Sequence, residues 1–371
     1  MHLLNGTFAV SKYTCESTIE QAPQDLADML RKYSFKPIDN CAEEKSIGWV
    51  SSSDFLDSDF TMPPDLGGYL FFSLRMDTRK VNSAVFKKEV LLALKKEESL
   101  NQKIGKKFIS RERKKELKEQ VKIRLLSHTF PVPKAIMVAW NIPQQVLYFF
   151  SVNPKECDIF EEMFTRTFNM SLDKIDFYSV ASGISSPSEL DKLDTILSNQ
   201  LISPDQSDGT YLGADFLNYL WFISDSQNSM NDANYSFFIG NSVTVSGEFG
   251  TLSAKSTAGE LAEAMYGLVN GKKVSSLTFS IETSDAATYK AKLDGSYRLS
   301  GVKLPRSEKL DDAGDDALLL EKLFLLEQLF SYVDEVFGVF LKIRLTDNQW
   351  RDISVKIELW ANKKEKGPRE V

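Results

Sequence analysis

The sequence predicts an α+β protein, and three observations carry that expectation. Strand-like and helical segments run in the order β-α-β, a charged insertion, then β-β-α-β, which suggests helices over an antiparallel or mixed sheet. Val274–Lys303 reads as three consecutive antiparallel strands. Asp315–Arg344 carries a long stripe of apolar residues at three- and four-residue steps, the signature of one long helix.

The elements follow in order. Thr7–Tyr13 reads as a strand and Ile19–Lys32 as a helix with Leu26, Met29 and Leu30 inward, closed by Phe35 and Pro37. The following Gly48-Trp49-Val50 reads as a turn that opens into a polar loop. Tyr69–Leu74 is a short buried strand. Beyond the insertion, Ala135–Trp140 and Gln145–Val152 read as strands, Lys155–Phe168 as a helix and Ile175–Val180 as a strand. Ser182–Gly209 is rich in Ser, Pro and Asp, reads as a boundary, and holds a short helix at Glu189–Asn199. Tyr211–Ser224 is an apolar helix, and Tyr235–Phe249 suggests strands. Glu260–Asn270 is a helix with Gly271 as its left-handed stop. Strands are expected at Val274–Glu282, Tyr289–Leu293 and Tyr297–Lys303. In the last long helix the stripe is Leu319, Leu323, Leu326, Phe330, Val333, Phe337 and Phe340. Acids at Asp311, Asp312, Asp315 and Asp316 favour its N-terminal dipole. The tail, Ala361–Val371, is charged and reads as frayed. The domains expected from this order are 1–78 with 135–181 (central), 79–134 (helical insertion), 182–310 (a second α+β domain) and 311–371 (long helix and tail).

Composition narrows the function. The 371 residues carry a net charge of −7, yet Arg79–Arg124 holds sixteen Lys or Arg against six acids. That stretch is +10, so the remainder is −17. Such separation steers a large anion to one place and repels it elsewhere. Two histidines, His2 and His128, leave little room for His-based catalysis, and no C-x-x-C pair or His-rich zinc motif occurs. The isolated Cys15, Cys41 and Cys157 fit a reducing cytoplasm. No apolar run is long enough to span a bilayer, no signal peptide is expected at the start, and no cofactor motif is present.

Within the insertion, Phe86, Val90 and Leu94 step by four, as do Leu117, Val121 and Leu125. The two stripes can face each other as a helical hairpin. Ser110 is a candidate N-cap for the second helix. Arg111, Lys114, Lys115, Lys118 and Lys122 fall on one face of that helix, whereas Arg113 and Arg124 fall elsewhere. With Lys87, Lys88, Lys95, Lys106 and Lys107, these five are the candidate DNA-binding residues, directed at phosphates rather than base edges. A merely solvated basic face is the competing reading. Phe130, between Thr129 and Pro131, either tucks onto its own domain or anchors an interface.

The chain resembles the RdgC family of bacterial recombination-associated DNA-binding proteins. The matching blocks are Phe35 and Pro37 followed by Gly48-Trp49-Val50; the basic insertion with Leu125-Leu126, Phe130 and the strand Ala135–Trp140; and Gly250–Lys255 followed by Gly271–Val274, Leu277, Leu293–Ser296 and Lys303. The resemblance implies a homodimer closed into a ring around duplex DNA. Such a protein binds without sequence preference, restrains RecA-driven strand exchange and resides on the cytoplasmic nucleoid. It also implies that the basic helices form a tip region beside the hole, and that Phe130 is a hydrophobic hook at one dimer contact. Lys255, Ser256 and Thr257 would lie at the other contact, although Ser256 and Thr257 stand where some relatives have Lys and Gln.

The family is also labelled an exonuclease. A metal nuclease needs clustered carboxylates, and Asp54, Asp57 and Asp59 form a candidate cluster in a Ser-rich loop. A DNA clamp with no catalytic or metal site is the expected function. A metal-dependent exonuclease and a protein-interaction module are the alternatives.

Overall fold

The computed structural model describes residues 6–15, 23–39, 41, 43–103, 108–195, 211–227, 230–231, 235–248, 250–255, 261–306 and 314–365. Buried Phe8, Val10 and Tyr13 organise the first strand, β1 (Phe8–Thr14). The first helix, α1 (Pro23–Lys32), buries Leu26 and Leu30 and leaves Met29 half-buried. The expected turn at Gly48-Trp49-Val50 is instead part of a strand, β2 (Lys45–Ser51). Glycine serves close approach here rather than reversal. The Phe35 N–H donates to the Trp49 carbonyl at 2.9 Å and the Trp49 N–H to the Tyr33 carbonyl at 3.1 Å. A Cβ on Gly48 would collide with the Phe35 backbone.

A two-residue strand, β3 (Asp65–Leu66), precedes β4 (Tyr69–Thr78), which runs beyond its apolar stretch. The insertion forms α2 (Ser83–Lys103) and α3 (Arg111–Ser127), followed by β5 (Val132–Asn141), β6 (Val146–Phe149) and α4 (Pro154–Phe168). The strand expected at Ile175–Val180 is corrected. Only β7 (Asp173–Lys174) is extended, and α5 (Phe177–Ile184) is helical. Asp176 decides this locally, because its carboxylate accepts the Ser179 N–H at 2.7 Å and caps the helix. Next come α6 (Pro187–Thr195) and α7 (Tyr211–Gln227); residues 196–199 of the expected helix lie outside the described residues.

The remaining strands are β8 (Met230–Asn231), β9 (Tyr235–Gly247) and β10 (Gly250–Lys255), then α8 (Ala262–Val269). Gly271 follows α8 with φ +83°, the left-handed stop that its sequence position implies. Then come β11 (Lys273–Thr283), β12 (Thr288–Asp294) and β13 (Leu299–Lys303). The long helix, α9, spans Asp315–Arg344. A last helix, α10 (Asp347–Glu365), occupies part of the expected frayed tail. It is held by buried Trp350, Ile357 and Ala361, whose spacing is helical but sparse among charged neighbours.

The architecture is α+β, and the chain divides into two compact units. One comprises 17–143 and 160–170, the other 1–16, 144–159 and 171–371. In the first, β4 lies between β2 and β5 in an antiparallel sheet. Trp49 packs edge-on against Phe72 and Phe160, and Trp140 edge-on against Phe164 and Phe168, while Phe72 meets Phe168 at a tilt; the Trp49–Phe72 and Trp140–Phe164 ring centroids lie 5.1 and 5.2 Å apart. The buried Trp49 indole donates to Thr167 Oγ1 at 2.7 Å, which satisfies its polar edge.

In the second unit, antiparallel strands run in the order β10-β9-β11-β12-β13-β1-β6. The α9 stripe packs as expected from Leu323 onward, while Leu319 is only half-buried. Phe337 meets Phe177 and Phe216 at 5.0 and 5.1 Å. Arg344, fully buried, donates to the Asp215 carboxylate at 3.0 Å. Below the sheet, Tyr297 donates to Asp334, and Lys12 Nζ sits 5.0 Å from the Phe330 ring. Burial pushes the Lys12 ammonium pKa down and the Asp334 carboxyl up, against their mutual attraction.

Candidate nucleic-acid interface

The hairpin forms because α2 and α3 each present a narrow apolar edge. Val90, Leu117 and Val121 are buried between the helices, with Leu126 at the sheet end, while Phe86, Leu94 and Leu125 are half-buried. Ser110 caps α3 as its position implies, accepting the Arg113 N–H at 3.2 Å. Two cross-helix ion pairs lock the register. Arg113 Nε lies 2.8 Å from Glu97, and Arg124 lies 2.7 Å from Glu89. Arg113 also holds Glu116 at 3.0 Å. The hydrogen bond from Arg113 keeps the Glu97 carboxyl below its usual pKa.

These pairs sort the charge. The two arginines expected off the basic face absorb three of the six acids. Arg111, Lys114, Lys115 and Lys118 remain exposed and form no ion pair among the described residues. At 3.6 residues per turn they project within an arc of about 100°. Glu112 and Glu119 flank that arc. Lys122 shares the arc but is engaged by Glu44, which raises its pKa. On α2, Lys87 and Lys95 are exposed, and Lys88 lies 3.8 Å from Glu89. Lys106 and Lys107 lie outside the described residues.

Arg79 leaves the basic surface altogether. It is buried and donates to the carbonyls of Ile38, Asp39 and Cys41, tying the start of the insertion to the loop before β2. The sequence holds no signal for this partner or for Glu44, since both depend on which loop lies beside the hairpin.

Phe130 is 89% exposed, so it does not tuck onto its own domain. Thr129 Oγ1 donates to the Leu125 carbonyl at 2.7 Å and fixes the chain just before it, and the adjoining Val132 is exposed as well. Lys255 is exposed at the end of β10, while Ser256 and Thr257 lie outside the described residues.

The acidic loop after β2 is organised around itself. Asp57 accepts the Asp59 N–H at 3.0 Å, the Thr61 N–H at 2.9 Å and the Thr61 hydroxyl at 2.8 Å. Partial burial works to raise its pKa, but these hydrogen bonds prevail and hold it low. Asp54 accepts the Leu56 N–H at 2.9 Å. Among the described residues, no three Asp, Glu, His or Cys side chains come together as a metal site.

Residues 9–183 match a family model described as "RdgC: Putative exonuclease, RdgC". The match supports an RdgC-family assignment over that span. The hairpin, the Trp49 core and Phe130 all fall inside the RdgC segment, whereas Lys255 and α9 lie beyond it. No curated protein matches the chain. No described helix is long and apolar enough to cross a membrane.

Proposed function

We propose that this RdgC-family protein binds duplex DNA through its phosphate backbone, without sequence preference and without cutting it. In this reading it acts as a ring-shaped homodimer on the nucleoid and restrains RecA-dependent strand exchange by occupying DNA. The observation that carries the proposal is the row Arg111, Lys114, Lys115 and Lys118, four exposed cations that form no ion pair among the described residues, while Arg113 and Arg124 take up Glu89, Glu97 and Glu116. Such a row matches a polyanion by charge and presents no side chains arranged for base-edge readout. The non-catalytic part rests on Asp57, whose carboxylate is committed to closing its own loop. Phe130 supplies the grip between copies, as an exposed aromatic on a short, proline-flanked segment.

Charge reversal at Lys114, Lys115 and Lys118 tests the interface. Fluorescence anisotropy with several unrelated duplexes should show weaker binding for all of them alike. Unchanged affinity would remove the hairpin from the DNA surface. Mg²⁺-dependent degradation of linear duplex by the pure protein would overturn the non-catalytic part.

A further inference from the structure

Helix α2 carries two apolar stripes, and α3 covers only one of them. Phe86, Val90 and Leu94 turn toward α3 and are buried or half-buried. Val85, Leu92 and Leu100 recur at seven- and eight-residue steps, which sets them along another edge, roughly 120° round the same helix. They are 45%, 51% and 48% exposed, so this edge is unpartnered within the chain. Between it and α3 lies a groove of about 510 Å³. Ala93, Leu117 and Val121 form its floor, and Leu92 and Leu100 form one wall. Alanine at 93 leaves open a space that a longer apolar side chain would fill. Contiguous apolar surface of this kind, with a polar rim, marks an interaction site.

The rim decides what the groove accepts. Its acids are already neutralised, Glu89 by Arg124 at 2.7 Å and Glu97 by Arg113 at 2.8 Å. Lys96 and Lys103 lie four and eleven residues beyond Leu92, within about 40° of it on the helix. Both are exposed, and neither forms an ion pair among the described residues. The groove is therefore apolar inside and positive at its edge. A second copy of the hairpin is a poor occupant, because Arg79–Arg124 is +10 in each copy and two such stretches repel. A phosphodiester backbone is a poor occupant too, since an apolar floor desolvates charge without pairing it.

We infer that this groove docks an acidic amphipathic helix of a partner protein, with leucine-like side chains on Ala93, Leu117 and Val121 and carboxylates toward Lys96 and Lys103. An amphipathic helix laid in an apolar groove is a recurring mode of protein recognition, read by anchors at three- and four-residue steps. The eight residues from Leu92 to Leu100 span about 12 Å of helix axis, room for roughly two turns of a docked helix. So short a contact suits a transient partner rather than a permanent subunit. On α3 the groove residues Leu117, Gln120, Val121 and Arg124 are centred about 120° from the row Arg111, Lys114, Lys115 and Lys118, at about 100° per residue. A helix in the groove leaves that row open, and the inference holds whatever the row binds.

The test uses the full chain and a labelled synthetic peptide with leucine at every third or fourth position and glutamate between, followed by fluorescence anisotropy. The wild type should bind it. L92S/L100S should weaken binding by roughly tenfold to hundredfold, the share of two leucines that are already half-buried. K96E/K103E should weaken it by repulsion, and Ala93→Leu should block it by filling the floor. The melting temperature of L92S/L100S should stay at the wild-type value, because neither leucine is in the core. A scrambled peptide of the same composition, whose leucines do not line one helical face, should not bind. Binding of the ordered peptide alone, weakened in L92S/L100S at an unchanged melting temperature, supports the inference. Absence of binding to the wild type overturns it. Equal binding to L92S/L100S, or equal binding of the scrambled peptide, means that charge alone is recognised and overturns it too. If L92S/L100S instead loosens self-association in sedimentation, the groove holds a second copy and the inference is wrong.

Discussion

Truncating Phe130 to Ala should weaken dimerisation without weakening the protomer. Within one chain the ring is 89% exposed, so the fold gains almost nothing from it. A Phe side chain moved from water into an apolar pocket contributes about 1.5–3 kcal/mol. In a two-fold symmetric contact each copy presents the same residue, so two rings are buried per dimer. The loss is then about 3–6 kcal/mol, which raises the dimer dissociation constant by roughly a hundred- to ten-thousand-fold at about 1.4 kcal/mol per tenfold. Sedimentation equilibrium over a wide concentration range measures this directly, and a thermal melt of the same variant serves as the control. A lowered melting temperature with an unchanged dimer constant would show that Phe130 packs within its own chain. An unchanged sedimentation profile with an unchanged melt would show that it anchors nothing, and the hook would be wrong.

Two further predictions follow from contacts inside the first unit. Gly48→Ala should destabilise that unit by about 1–3 kcal/mol or more in chemical denaturation, because the new methyl meets the Phe35 backbone and cannot be accommodated by a side-chain rotation. Acid should loosen the hairpin before the rest: the Glu97 carboxyl lies below its ordinary 4.5 in the folded state, so its contribution is present above 4.5 and is lost as pH falls through the lowered value. Hydrogen exchange of α2 and α3 between pH 6 and 3 reads this, and Glu97→Gln should remove the pH dependence there.

Much of this protein is legible in one dimension. The limits of α9 follow from its apolar stripe and N-terminal acids, the stop at Gly271 from its position after α8, and the α3 cap from Ser110, because each depends on residues within a turn or two of one another. The partition of the α3 cations was legible for the same reason: helical period alone separates Arg113 and Arg124 from Arg111, Lys114, Lys115 and Lys118. Glycine at position 48 reads as a turn until the Phe35 segment lies against it, and Ile175–Val180 reads as a strand until Asp176 caps a helix instead.

Charge counting found the basic insertion, but only tertiary structure decided which charges are available. Arg79 contributes to the charge of the basic stretch yet is buried against the loop at Ile38–Cys41, and Lys122 has the right helical phase yet is met by Glu44. The groove beside Leu92 is the reverse case. Leu92 and Leu100 are set apart along a charged helix and mark no site in the sequence. They border a groove because the hairpin brings Leu117 and Val121, distant along the chain, alongside them. The sequence by itself determined the helices, the strand-rich second half and the net separation of charge, since these are local sums and local periods. Which cations stand free and adjacent was decided by register and packing, which exist only once the chain has folded.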